Sequence, residues 1–187
     1  MIDTIQYDSN FIYYVIMFGL GAGLFIGCVN MVSATAVSRE GNNYIVMKYL
    51  PVSYREQIHA KMLLGIIMGI VSDLLIIFAI MSILSFDWYY YVLLFICMCI
   101  STVLSNEICI IVDMHKPKLV WEQEASAIKQ NFSSFFATMI MLGLCTGMIL
   151  VALLMPNEYI LLATAFFLIL CIVASILGYW LCGTLAQ

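Results

Sequence analysis

The sequence predicts an all-α integral membrane protein of about five transmembrane helices, with short interfacial helices in two cytoplasmic loops. Three observations carry this expectation. Hydrophobic residues make up 65% of the 187-residue chain and charged residues 10%, with a mean hydropathy of +1.08; soluble domains hold about 45–50% apolar and about 25% charged residues. The apolar residues are gathered into five long runs rather than alternating stripes, so lipid is the expected solvent. All charged side chains but Asp73 and Glu107 fall outside those runs.

The first run, Phe11 to Val37, contains no charged residue and is long enough to cross a hydrocarbon core of roughly 30 Å with some tilt. Met62 to Phe86 and Trp88 to Val112 form a second and third span around a turn at Asp87. Phe135 to Met155 and Ile160 to Leu181 form a fourth and fifth, separated by Pro156, Asn157 and Glu158. Such short connections make antiparallel neighbours of spans two and three, and of four and five. One transmembrane domain, 1–187, with loops at 38–61 and 113–134 accounts for the whole chain. The first ten residues carry Asp3 and Asp8 but no Lys or Arg, so no cleavable signal is expected and the first span is retained.

Orientation follows from the cations. Arg39, Lys48, Arg55 and Lys61 lie in the first long loop and Lys116, Lys118 and Lys129 in the second, and there are no others. The positive-inside rule makes that side the cytoplasm of a bacterial cell membrane, with the N-terminus outside and the C-terminus inside. The opposite segments carry only acids, and aromatics such as Trp88 and Tyr159 fall at the expected outer interface, Tyr179 and Trp180 at the inner.

Small residues recur at four-residue steps at Gly19, Gly23 and Gly27, at Gly65 and Gly69, and at Gly143 and Gly147. Such spacing lets helices approach closely, and packing within the bundle is favoured over a dimer face. The seven cysteines all lie in apolar runs, without C-x-x-C, and read as small core residues.

The first loop reads SREGNNYIVMKYLPVSYREQIHAK. Gly41 to Asn43 supplies a breaker, Tyr44 to Leu50 is compatible with a short helix, and Pro51 separates it from Ser53-x-x-Glu56, a capping box opening a helix that runs through His59 and Lys61 into the second span. Such a loop suits docking on a soluble partner and equally suits lying on headgroups. In the second loop, Trp121, Ala125, Ile128 and Phe132 share one helical face, so this segment can lie at the interface with Trp121 at headgroup depth.

Both loops resemble those of ABC-2 type permeases, the membrane subunits of certain ABC exporters. Glu40, Gly41, Leu50, Pro51, Ser53 and Lys61 follow that family's acidic-glycine, leucine-proline-x-serine and lysine pattern, and Glu56 lies within the same loop. Pro117, Lys118, Leu119, Trp121, Glu124, Ala127, Ile128, Lys129, Gln130 and Asn131 follow, in order, a stretch seen in a Firmicutes-type branch. The resemblance implies an exporter subunit whose first loop holds the coupling helix for a separate ABC ATPase, that partner binding the ATP and Mg. It implies pairing with a second permease subunit or a missing N-terminal half. The family's common unit has six spans, two of them before the coupling loop; one precedes it here, so the chain resembles a unit lacking its first helix or the C-terminal part of a longer permease.

Asp73 and Glu107 are the candidate pathway residues, since an ionised carboxylate in lipid costs at least a few kcal/mol and calls for water, a partner or a proton. Each could line a substrate path, transfer a proton, or make a packing contact, Asp73 with Ser72, Asn106 or Asn30 and Glu107 through an ion pair. Asp113, His115, Glu122, Glu124 and His59 have no recognised metal-site spacing, so neither a metal nor a catalytic residue is expected. The chain lacks a Walker motif and a G-x-S-x-G element, and its cations are too few and too mixed with acids for nucleic-acid binding. The competing functions are a small intramembrane hydrolase using Asp73 or Glu107, and a non-catalytic scaffold or split-gene remnant.

Overall fold

The structure, a computed structural model, describes residues 11–41, 49–121, 131–156 and 158–185. Five helices follow in order: α1 Phe11–Val29, α2 Tyr54–Ile83, α3 Trp88–His115, α4 Phe132–Leu154 and α5 Ile160–Leu185. All five are long and apolar enough to cross a membrane. Large apolar side chains such as Leu75, Phe78, Phe166 and Ile176 stand exposed on the outside of the bundle, as expected of a surface solvated by lipid.

α3 is the central element and packs against the other four helices. Its most apolar stretch is 56% buried and that of α1 44%, against 22%, 17% and 22% for α2, α4 and α5, so α1 and α3 form an inner pair. Glycine makes that pairing possible. A Cβ on Gly19 would stand 2.9 Å from the Cβ of Cys97, one on Gly27 would stand 2.8 Å from that of Ser105, and one on Gly23 would collide with Ser101 and the Met98 carbonyl. α2 buries a single stripe, Ile58, Met62, Gly65, Gly69, Asp73 and Ile77, with Gly69 against Thr102 of α3.

The internal-packing expectation thus holds for the glycines of α1 and α2. It fails for Gly143 and Gly147 of α4, because a Cβ at either position would meet nothing within 4 Å among the described residues. All seven cysteines are free thiols, and five of them are buried.

Helix boundaries depart from the hydropathy reading in two informative places. α1 stops at Val29 rather than Val37, since Asn30 Oδ1 accepts the Val32 amide at 3.0 Å, Met31 takes a φ of 52°, and the Thr35 hydroxyl donates to the Met31 carbonyl at 2.8 Å. Asn, Ser and Thr compete locally for backbone bonds, so NMVSATAVS turns where an apolar tally sees a span. α2 begins at Tyr54 on the expected capping box, with Ser53 and Glu56 bonding each other's amides at 3.3 and 3.2 Å. At about 1.5 Å per residue it is about 45 Å long, more than the roughly 30 Å of a hydrocarbon core.

α2 ends at Ile83 rather than Phe86, and the turn into α3 is tied by Tyr91, whose hydroxyl donates to the Leu84 carbonyl and accepts the Phe86 amide at 2.9 Å. Three further ends run past the expected ones: α3 reaches His115, α4 starts at Phe132 on an Asn131 cap, and α5 reaches Leu185. The short helix expected over Tyr44 to Leu50 falls mostly outside the described residues.

The two glycine sets give a paired expectation. Gly23→Val should lower stability in detergent by about 1–3 kcal/mol through overpacking, while Gly143→Ala should change it by less than about 0.5 kcal/mol. Thermal unfolding of the two variants checks both, and equal losses would contradict the glycine-lined α1–α3 seam.

Candidate functional site

The residues after α1 are not a free loop. Ser33 to Ser38 are all buried, yet their backbone is a series of turns ending in a 3-10 turn over 38–41. Their polar groups are met by side chains from other helices. Asp113, fully buried in the last turn of α3, accepts the Val37 amide at 2.7 Å, the Ser38 amide at 3.0 Å, the Ser38 hydroxyl, and Asn131 Nδ2 at 3.4 Å. The Ser134 hydroxyl of α4 donates to the Ala34 carbonyl at 3.0 Å, and Lys61 Nζ of α2 to the Ala36 carbonyl at 3.3 Å.

Ser38 joins the two loops. Its hydroxyl accepts the Lys118 amide at 2.9 Å and its carbonyl accepts the Trp121 indole N–H at 3.0 Å. The same indole lies over Gly41, where a Cβ would stand 2.7 Å from the ring and where φ is +50°, so both space and backbone favour glycine. Trp121 itself sits in irregular chain rather than in a helix and turns toward Ser38 and Gly41, while residues 122–130 of the expected interfacial segment lie outside the described residues. Ser133 closes the second loop by donating to the Lys116 carbonyl at 2.6 Å.

The sequence-named residues of the first loop divide in two. Glu40 and Lys61 form an ion pair beside the buried 33–38 stretch, while Leu50, Pro51 and Val52 stand exposed ahead of α2. In the second motif, Pro117, Lys118, Leu119 and Trp121 form the stretch that meets Ser38 and Gly41, and Asn131 both caps α4 and reaches Asp113. Glu124, Lys129 and Gln130 lie outside the described residues. Ser38 and Asp113 carry the junction; the sequence reading misses Ser38 and weighs Asp113 only as a metal ligand, although an acid directly after an apolar run is a signal for such an anchor.

The acids inside the bundle are held by different helices. Asp73, fully buried, has one oxygen 2.8 Å from the Thr102 hydroxyl of α3, and its other oxygen has no hydrogen-bond partner among the described residues. Its partner is therefore Thr102, not Ser72, Asn106 or Asn30: Ser72 donates to Met68, Ser33 donates to Asn106, and Asn30 donates to the Gly65 carbonyl. Glu107 faces α5, where it interacts with Ser175 and where Oε2 lies 2.8 Å from the position of a Cβ on Gly178. That oxygen has no hydrogen-bond partner among the described residues, so the expected ion pair is not formed there.

His59 stacks on Tyr179 at 4.5 Å, and His115 faces its own Ile111 carbonyl at 2.9 Å. Neither approaches Asp113, and no group of three metal-ligating side chains occurs among the described residues. The structure defines a polytopic α-helical bundle with one polar junction at its cation-bearing end and two separate buried acids. No family model, curated protein or solved structure matches the chain.

The junction makes Asp113 the most sensitive polar position. Asp113→Asn leaves one of the facing donors without an acceptor and should destabilise the purified protein by roughly 2–4 kcal/mol. It should also speed proteolysis between 38 and 61. A variant with unchanged melting and unchanged cleavage would show that the loops are held by something else.

Proposed function

We propose that the chain is a membrane subunit of an ABC-2 type exporter, with the 38–61 loop as the contact for a separate ATPase. The observation that carries this reading is mechanical. The exposed loop tip, with Leu50 and Val52 about half exposed, leads into α2, and that helix runs unbroken from Tyr54 past Asp73 to Ile83. Exposed apolar side chains just ahead of a capped helix start suit a soluble partner, and α2 is longer than a lipid core requires. Movement of the tip would act as a lever on the α2 seam against α1 and α3.

The meeting of the two loops supports the same reading. Gly41 and Trp121, one residue from each of the motifs that carry the family resemblance, are in direct contact, and Ser38 beside the first motif accepts the Lys118 amide of the second, so a load on one loop passes to the start of α4 through the other. The hydrolase reading, which needs Asp73 or Glu107, gains no comparable support: among the described residues Asp73 meets the Thr102 hydroxyl and Glu107 interacts with Ser175.

In this reading the cation-bearing end faces the cytoplasm of a bacterial cell, the ATP and Mg belong to the partner, and a second permease subunit or half completes the pathway. Two experiments test it. A reporter fused at the C-terminus should be active in the cytoplasm only, following the cation bias of the loops; export of that reporter would overturn the orientation. Co-purification with a Walker-type ATPase from a neighbouring reading frame should weaken by on the order of tenfold in Val52→Asp, a charge placed in an exposed apolar contact. Undiminished association in a well-folded Val52→Asp and Leu50→Asp pair would remove the coupling assignment.

A further inference from the structure

Asp73 differs from Asp113 in what surrounds it. Asp113 receives four donors across its two oxygens, two of them backbone amides released by irregular chain, and that is the environment of a carboxylate. Asp73 is equally buried but meets one hydroxyl, and Oδ1 has no partner among the described residues. The neighbouring amide side chains face other acceptors, Asn30 the Gly65 carbonyl at 3.2 Å and Asn106 the Thr102 carbonyl at 2.8 Å.

The proton count at Thr102 decides the matter. Its hydroxyl oxygen lies 2.8 Å from Asp73 Oδ2 and 3.2 Å from the Gly23 carbonyl of α1, and a hydroxyl has a single proton to give. If Asp73 is ionised, both neighbours are acceptors and one contact is left without hydrogen. If Asp73 carries a proton, every contact is a bond: the acid donates to Thr102, and Thr102 donates to Gly23.

Among the described residues, no charge nearby offsets an ionised form. α1 contains no Asp, Glu, Lys, Arg or His, and Lys61, on the same helix as Asp73, is about 18 Å away along the axis. On α3 the titratable group bearing on Asp73 is the Cys99 thiol, and Thr102 and Asn106 are uncharged.

We infer that Asp73 is a proton-binding site: its neutral carboxyl donates to Thr102, which donates on to the Gly23 carbonyl, so that one bound proton ties α2 to α3 and α1. Removing the proton leaves one hydrogen for two acceptors and a bare charge in the seam, which loosens α2. The inference stands apart from the transport reading, since it concerns the state of one carboxyl in the resting bundle.

Infrared spectroscopy of the full chain in lipid vesicles at neutral pH tests it. The expected spectrum has the carbonyl band of a protonated carboxyl that shifts in heavy water, disappears in Asp73→Asn, and moves to higher frequency in Thr102→Val as its hydrogen bond is lost. Asparagine can donate to Thr102 as the acid does, so the first variant keeps the staple. Carboxyl-labelled aspartate in the wild-type chain gives the same reading without a variant, through an isotope shift of that band. Loss of carboxylate bands alone in Asp73→Asn, or the absence of any label-shifted protonated band in the wild type, would overturn the inference.

Discussion

Six consecutive residues, Ser33 to Ser38, are buried without forming a helix, and most of the architecture at the cation-bearing end follows from meeting their backbone needs. Non-helical chain is tolerated at such depth only where protein supplies the hydrogen bonds that lipid cannot. Asp113 takes two amides, and Ser134 and Lys61 each serve a carbonyl. Those partners belong to α3, α4 and α2. A single interrupted stretch after α1 therefore fixes the end of one helix and the beginnings of two others relative to it.

The same requirement explains why the two loops are not independent. Ser38 has its amide and hydroxyl on Asp113, and its carbonyl and hydroxyl oxygen remain available to the second loop, where Trp121 and Lys118 donate to them. Gly41 then has to be small and left-handed because the indole covers it. The opposite end is closed more simply, by the Tyr91 hydroxyl bridging Leu84 and Phe86. Hydrogen bonds between loops and helices are thus concentrated at the cation-bearing end, and α2 leaves it as one continuous helix.

What could be read from the sequence was governed by how local the cause was. Five apolar helices and the Ser53–Glu56 capping box were legible, because composition and a four-residue motif determine them. The end of α1 was not, since hydropathy scores Val, Ala and Thr alike whether they continue a helix or turn, and the decision rests on Asn30 and on distant acceptors. The loop residues Glu40, Lys61, Gly41 and Trp121 were each singled out, yet their pairing spans up to about eighty residues and needs the fold. Thr102 could not be chosen over Asn30 or Asn106 as the neighbour of Asp73, because helix rotation in the bundle determines which polar side chain faces it.

The two buried aspartates show how backbone regularity determines what a carboxyl can do. In a regular helix interior every amide is already bonded four residues back, so an acid among packed helices finds only side-chain donors. Asp73 lies in such a setting and meets one threonine, and Glu107 likewise looks onto a glycine of α5 with one oxygen unmet among the described residues. Asp113 lies beside a broken helix, where released amides surround it. Interruption of α1 therefore creates the ligands that let one acid serve as a structural anion, while the regular packing of α2 and α3 leaves the other to rely on a proton and a hydroxyl.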